Sequence, residues 1–218
     1  MAFKMNLENP FFEGIRKIID MLMLNALWLL CCMPIVTIGA ASSALYYTVH
    51  KTIRQERGYL FRSYFGAFKD NFKQSTLCWL IYMALFVFLY FDMCIMEQYL
   101  LDGQTIGLLY YVFWVFAGCI LVWSIYLFAY IARFTDNLKT CLKNSALLAI
   151  ANLPFSIILL ALAVVMYVLV MFVTPLLILA LPVLVCCVYN VILERIFRKV
   201  MNEEERKNEI ASDPIVKR

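Results

Sequence analysis

Residues 103–132 read GQTIGLLYYVFWVFAGCILVWSIYLFAYIA and contain no Asp, Glu, Lys, Arg or His. An uncharged, strongly apolar run longer than about 18 residues is long enough to cross a bilayer as a helix. Working outward, three more windows have no titratable charge: 21–49, 74–91 and 144–193. The whole chain agrees with them. Of its 218 residues 64% are hydrophobic and 16% charged, with a mean hydropathy of +0.81. A soluble domain is about half apolar and about a quarter charged, and a chain this short cannot hide such an excess in a core. The pattern specifies an all-α, polytopic transmembrane helical bundle, taken as one domain over 1–218. It argues against a soluble enzyme, a nucleic-acid-binding domain and a secreted disulfide scaffold.

The windows divide into crossings at about 21–45, 74–91, 106–131, 146–171 and 175–193. Asn9-Pro10 suits a helix start, and Thr174-Pro175 supplies the cap and first helical position that split the last window. The first window would run about 43 Å as one helix, against a hydrocarbon core of about 30 Å. It also holds a breaker, Pro34-Ile35-Val36-Thr37-Ile38-Gly39. Two outcomes follow: five crossings with a kinked first segment, or six segments with a break at Pro34–Gly39. Between the first and second windows, Phe61, Phe65, Phe68 and Phe72 share one helical face and Arg62, Lys69 and Lys73 fall largely on another. That is the pattern of an interfacial helix over about 59–73. The tail 194–218 carries seven basic and six acidic residues.

Basic residues orient a membrane protein with the richer loops in the cytoplasm. Lys51, Arg54, Arg57, Arg62, Lys69 and Lys73 fill the first connection, Arg133, Lys139 and Lys143 the third, and the tail is basic again. The connection 92–103 holds Asp92, Glu97 and Asp102 with no Lys or Arg. The expected placement is a multi-pass membrane protein with a cytoplasmic C-terminus. Five crossings leave the N-terminus outside; six return it to the cytoplasm.

The eight Cys include no C-x-x-C pair and the only His is His50, so no metal site or cofactor is expected. Phosphate-loop, dinucleotide, zinc-protease and nucleophile-elbow motifs are missing. No Asp, Glu, Lys or Arg lies deep in an apolar segment, where proton relays and ion pathways usually announce themselves. The expectation is a protein that is not an enzyme. Its candidate functional or partner site is the break and the polar groups before it: Asn25, Trp28, Pro34, Thr37 and Gly39. Phe68-Lys69-Asp70-Asn71-Phe72-Lys73 is echoed by Phe134-Thr135-Asp136-Asn137-Leu138-Lys139. Both copies precede an apolar hairpin on one expected side, a sign of parallel duplication. Their shared residues Phe68, Asp70, Asn71, Lys73, Phe134, Asp136, Asn137 and Lys139 form a candidate cytoplasmic interaction motif.

The stretch from Asn25 and Trp28 through Pro34, Thr37 and Gly39, continued by Ala44-Leu45, Arg54, Phe65 and Phe68 to Lys73, resembles the N-terminal signature of the YesL family. These are small bacterial integral membrane proteins without an assigned biochemical activity. The specific part of the resemblance is about 25–73; later segments match as hydrophobic helices. The family has no agreed catalytic residues to carry over. Its members often stand beside sugar-uptake functions, so the resemblance implies an accessory role in carbohydrate uptake or its sensing. The implied partners are the lipid bilayer, a sugar-transporter or sensor membrane subunit, and further copies of the chain, with no nucleic acid. The competing expectation is a small-solute permease acting as an oligomer.

Overall fold

The computed structural model describes residues 10–55, 58–173 and 181–201, with side chains from residue 14 onward. The expected cap at Asn9, the division at Thr174-Pro175 and most of the tail lie outside the described residues. Among the described residues there are seven α-helices and no strand: α1 Pro10–Cys32, α2 Ile38–Thr48, α3 Leu60–Leu101, α4 Leu109–Arg133, α5 Leu138–Ala151, α6 Leu153–Val168 and α7 Leu181–Val200. Among the described residues, three stretches are long and apolar enough to cross a membrane: Leu60–Leu101, Thr105–Arg133 and Leu153–Phe172.

The first apolar window is broken. α1 stops at Cys32 because the residue before Pro34 is pushed out of helical geometry. A single 3₁₀ turn, Ile35–Thr37, leads into α2. The helix resumes at Ile38, so Gly39 belongs to α2 rather than to the break. α1 packs against α2 and also against the π-helical turn Val49–Arg54 that follows it. That turn begins 11 residues, about 16 Å, past the start of α2. A merely kinked helix could not touch it, so the chain folds back and α1–α2 is a helical hairpin. α2 alone is too short to cross a hydrocarbon core of about 30 Å.

Two expected boundaries move. The interfacial helix 59–73 and the crossing 74–91 are one continuous helix, α3, of 42 residues, about 63 Å long. Nothing between Lys69 and Ser75 breaks a helix, and charge alone does not stop one. The crossing expected at 146–171 starts instead at Leu153, because Pro154 lacks an N–H and ends α5 at Ala151. Asn152 makes the corner at φ −120°, ψ 47°.

The hairpin packs along the N-terminal part of α3. Gly39, Ala40, Ala41, Ser43 and Ala44 are buried, and the Ser43 and Ser75 hydroxyls meet at 2.8 Å. Small side chains let membrane helices approach closely. A Cβ on Gly39 would stand 2.5 Å from Ser75 O and 2.7 Å from Trp79 Cβ. α3 turns Ser63, Tyr64, Ala67, Ser75, Cys78 and Tyr82 inward, while Phe61, Phe65 and Phe72 point out. The buried residues of α4 run from Val122 to Ala132. The core therefore sits at one end of the molecule. α6 lies antiparallel to α4, with Ser156 bonded to Tyr126 and Leu160 beside Gly118. Tyr189 on α7 donates to Leu159 O and brings α7 back toward the core end.

Candidate functional site

At the hairpin tip three backbone carbonyls, those of Cys31, Pro34 and Ile35, accept side-chain hydrogen bonds. The Thr37 hydroxyl lies 2.6 Å from Cys31 O and 2.7 Å from Pro34 O. The Trp79 indole N–H donates to Ile35 O at 2.7 Å. This is what non-helical backbone requires where water is scarce. Met33, Pro34, Ile35 and Val36 themselves are exposed. Thr37 and Gly39 thus come together with Ser75 and Trp79 of α3. Asn25 is fully buried on α1, and the Trp28 indole N–H has no hydrogen-bond partner among the described residues.

The two copies of the repeated motif differ in local structure. Phe68–Lys73 is mid-helix in α3, whereas residues 134–137 form the corner between α4 and α5. The echoed residues therefore do not share a local fold. Phe68 stacks with Tyr64, and Asp70 and Lys73 are exposed. In the second copy Phe134 packs on Tyr130 and Phe197. Asp136 accepts the Tyr130 hydroxyl at 2.7 Å, while Asn137 and Lys139 are exposed. Gln74, next to the first copy, donates to Asp136 O at 3.1 Å and so ties α3 to the corner.

A buried ionic cluster forms where no motif pointed. Glu194 of α7 is 2% exposed. Its carboxylate accepts the Tyr46 hydroxyl at 3.3 Å and lies 3.5 Å from His50 Nδ1 and 3.5 Å from Arg133 Nε. One turn earlier on α7, Asn190 Oδ1 accepts from Arg54 at 2.7 Å and sits 3.3 Å from His50 Nδ1. Gln55 reaches His50 Nε2 at 3.0 Å. Burial, reinforced by the Glu194 carboxylate, holds the Tyr46 phenol well above its ordinary value, so it stays a donor. His50 and Arg54 project from the π-helical turn Val49–Arg54, an irregularity often found at functional sites. Among the described residues no group of three or more His, Cys, Asp and Glu could hold a metal. The cluster ties the hairpin, the π-helical turn, the end of α4 and the end of α7 together.

The sequence carried one signal for this. His50, Arg133 and Glu194 each stand one residue beyond a charge-free window, 21–49, 103–132 and 144–193. Three window edges that meet must bury what they carry.

Residues 21–93 match a family model described as "Protein of unknown function, DUF624". The match takes in most of α1, the hairpin tip, α2, the π-helical turn and most of α3. It includes His50 and Arg54 and stops before Arg133, Asn190 and Glu194. No curated protein and no solved structure matches the chain. The molecule is a helical membrane protein whose N-terminal third is similar to a family of unassigned activity.

Proposed function

We propose that the protein is a non-catalytic subunit of the bacterial inner membrane, accessory to carbohydrate uptake or its sensing, with its basic end and C-terminus in the cytoplasm. The carbohydrate assignment rests on the resemblance of residues 25–73 to the YesL family. The orientation rests on the basic residues of the core end, Arg54, Arg133, Arg198 and Lys199 among them.

The accessory reading is carried by the uneven burial of the long helices. Only 17%, 28% and 11% of the most apolar stretches of α3, α4 and α6 is buried within the chain. Away from the core end, Phe88, Tyr90, Phe91, Val115, Phe116 and Tyr167 are all exposed. Among the described residues, these three helices are sparsely packed along their most apolar stretches. The groove between α4 and α6, about 680 Å³, is lined by apolar groups such as Trp114, Ile120 and Leu160. Such a surface suits lipid and the flank of another membrane subunit.

Two measurements test this. Liposomes holding the purified protein alone should show no carbohydrate flux, and deletion in the parent bacterium should lower carbohydrate uptake or its induction. Flux from the protein alone would replace this reading with the oligomeric permease. Unchanged uptake and induction in the deletion strain would remove the carbohydrate role.

A further inference from the structure

A polar cavity of about 320 Å³ opens between the π-helical turn and the start of α3. Tyr47 and Lys51 line one wall, Gly58, Arg62 and Ser63 its head, and Asp70 its far end. α3 begins there without a cap: Tyr59 is extended, at φ −96° and ψ 131°, and its side chain makes no capping bond. The first backbone bond of the helix runs from Ser63 N to Tyr59 O at 2.9 Å. The N–H groups of Leu60, Phe61 and Arg62 therefore have no acceptor within the helix, and the positive end of the helix dipole faces the opening.

A second, independent observation marks the place as a site. Ser63 is 8% exposed, yet its hydroxyl makes no hydrogen bond among the described residues. It lines the cavity instead. Gly58 has a φ of +76°, and a Cβ there would stand 3.3 Å from the Ser63 hydroxyl. The Lys51 ammonium is held at the wall by the Tyr47 hydroxyl at 3.1 Å and lies 5.3 Å from the centroid of the same ring. Two cations, free backbone donors and an unused hydroxyl gather at one end. One carboxylate, Asp70, stands seven residues or about 10 Å further along α3.

We propose that this cavity binds a phosphate ester. The phosphate sits at the α3 N-terminus between Lys51, Arg62 and Ser63, and a hydroxyl or ammonium of the esterified group meets Asp70. Helix N-termini with open N–H groups are natural phosphate sites, and the volume is at the lower end of small-ligand pockets. The same chemistry is offered by a soluble phosphate ester and by the headgroup of a phospholipid such as phosphatidylglycerol.

The test uses the full chain in phosphatidylcholine nanodiscs, titrated with glycerol phosphate, and parallel nanodiscs containing phosphatidylglycerol. Saturable binding of glycerol phosphate that is unaffected by phosphatidylglycerol identifies a soluble ester. Loss of that binding in phosphatidylglycerol discs, with the lipid retained on the protein in native mass spectrometry, identifies the headgroup. In either case Ser63→Asp should weaken binding at least tenfold. An acid in the first turn favours the helix, so this change repels the anion without opposing the fold. Should Ser63→Asp fail to accumulate, the exposed Arg62→Gln carries the same direction of effect. Absence of both glycerol phosphate binding and lipid retention overturns the proposal, as does equal binding by wild type and variant.

Discussion

Glu194 is the residue on which the core end turns. Its carboxylate faces His50, Arg133 and Tyr46 from three different elements. Glu194→Ala leaves Arg133 and His50 beside an empty, largely dry site. Removing one partner of a buried pair costs about 3–5 kcal/mol. Because the Arg133 side chain keeps 19% exposure, the lower end is expected. Unfolding of the purified protein in detergent should show this loss, and a smaller one for Glu194→Gln, which keeps an acceptor for Tyr46. A wild-type unfolding temperature for Glu194→Ala would mean that the cluster does not hold the π-helical turn in place. Gly39 makes a separate prediction. Its added Cβ would press on Ser75 O and Trp79, so Gly39→Ala should destabilise by about 1–3 kcal/mol, as overpacking does. Gly14 has nothing within 4 Å of a built Cβ, so Gly14→Ala should be neutral or stabilise by up to about 1 kcal/mol. Equal effects at both positions would refute the close approach of α2 and α3. Gly39 was legible as special from its place after Pro34, but its partner on α3 was not. The cluster was less legible still, since a charge at the edge of an apolar window reads as a surface group until another edge is known to meet it.

At the scale of elements, the sequence announces its breaks and hides its continuities. Pro34 stops α1, and the excess length of the first window already required a bend or a break there. The start of α6 at Leu153 is hidden in the sequence because both flanks of Asn152 are apolar and read as one crossing. The continuity of α3 was hidden for the opposite reason. Its composition changes from basic and aromatic to purely apolar near Gln74, which suggests two elements, yet no residue there forbids helical backbone. The hairpin tip allows a direct test of its own. Thr37→Val removes the hydroxyl shared by Cys31 O and Pro34 O. A hydrogen bond contributes about 1 kcal/mol, so thermal unfolding should show a loss of that order while the protein still inserts and accumulates. If Thr37→Val instead unfolds like wild type yet fails to complement a deletion phenotype, the tip serves a partner or solute and not only its own backbone.

For the whole molecule, the ionic cluster doubles as a statement of topology. Tyr46 lies near the end of the first apolar window and His50 just past it, Arg133 ends α4, and each meets Glu194, near the end of α7, within hydrogen-bond or ion-pair distance. Those three points of the chain must therefore share one side of the membrane. The turn between α3 and α4, at Asp102-Gly103, then lies at the far end of two long apolar helices. Because α1 folds back along α2 to reach the π-helical turn, the start of α1 returns to the side of residue 50. Charge counting leaves the N-terminus open between two sides; the fold-back of α1 onto the π-helical turn predicts the side of residue 50. Reporter fusions make the prediction concrete. Fusions near Lys4 and after Met201 should report the same side as one at Gln55, and a fusion at Gly103 the opposite side. On the orientation proposed above, that shared side is the cytoplasm. A periplasmic signal from the fusion near Lys4, with Gln55 cytoplasmic, would mean that α1 and α2 cross as one kinked helix and that the fold-back is wrong. A cytoplasmic signal at Gly103 would overturn the orientation of α3 and α4 together.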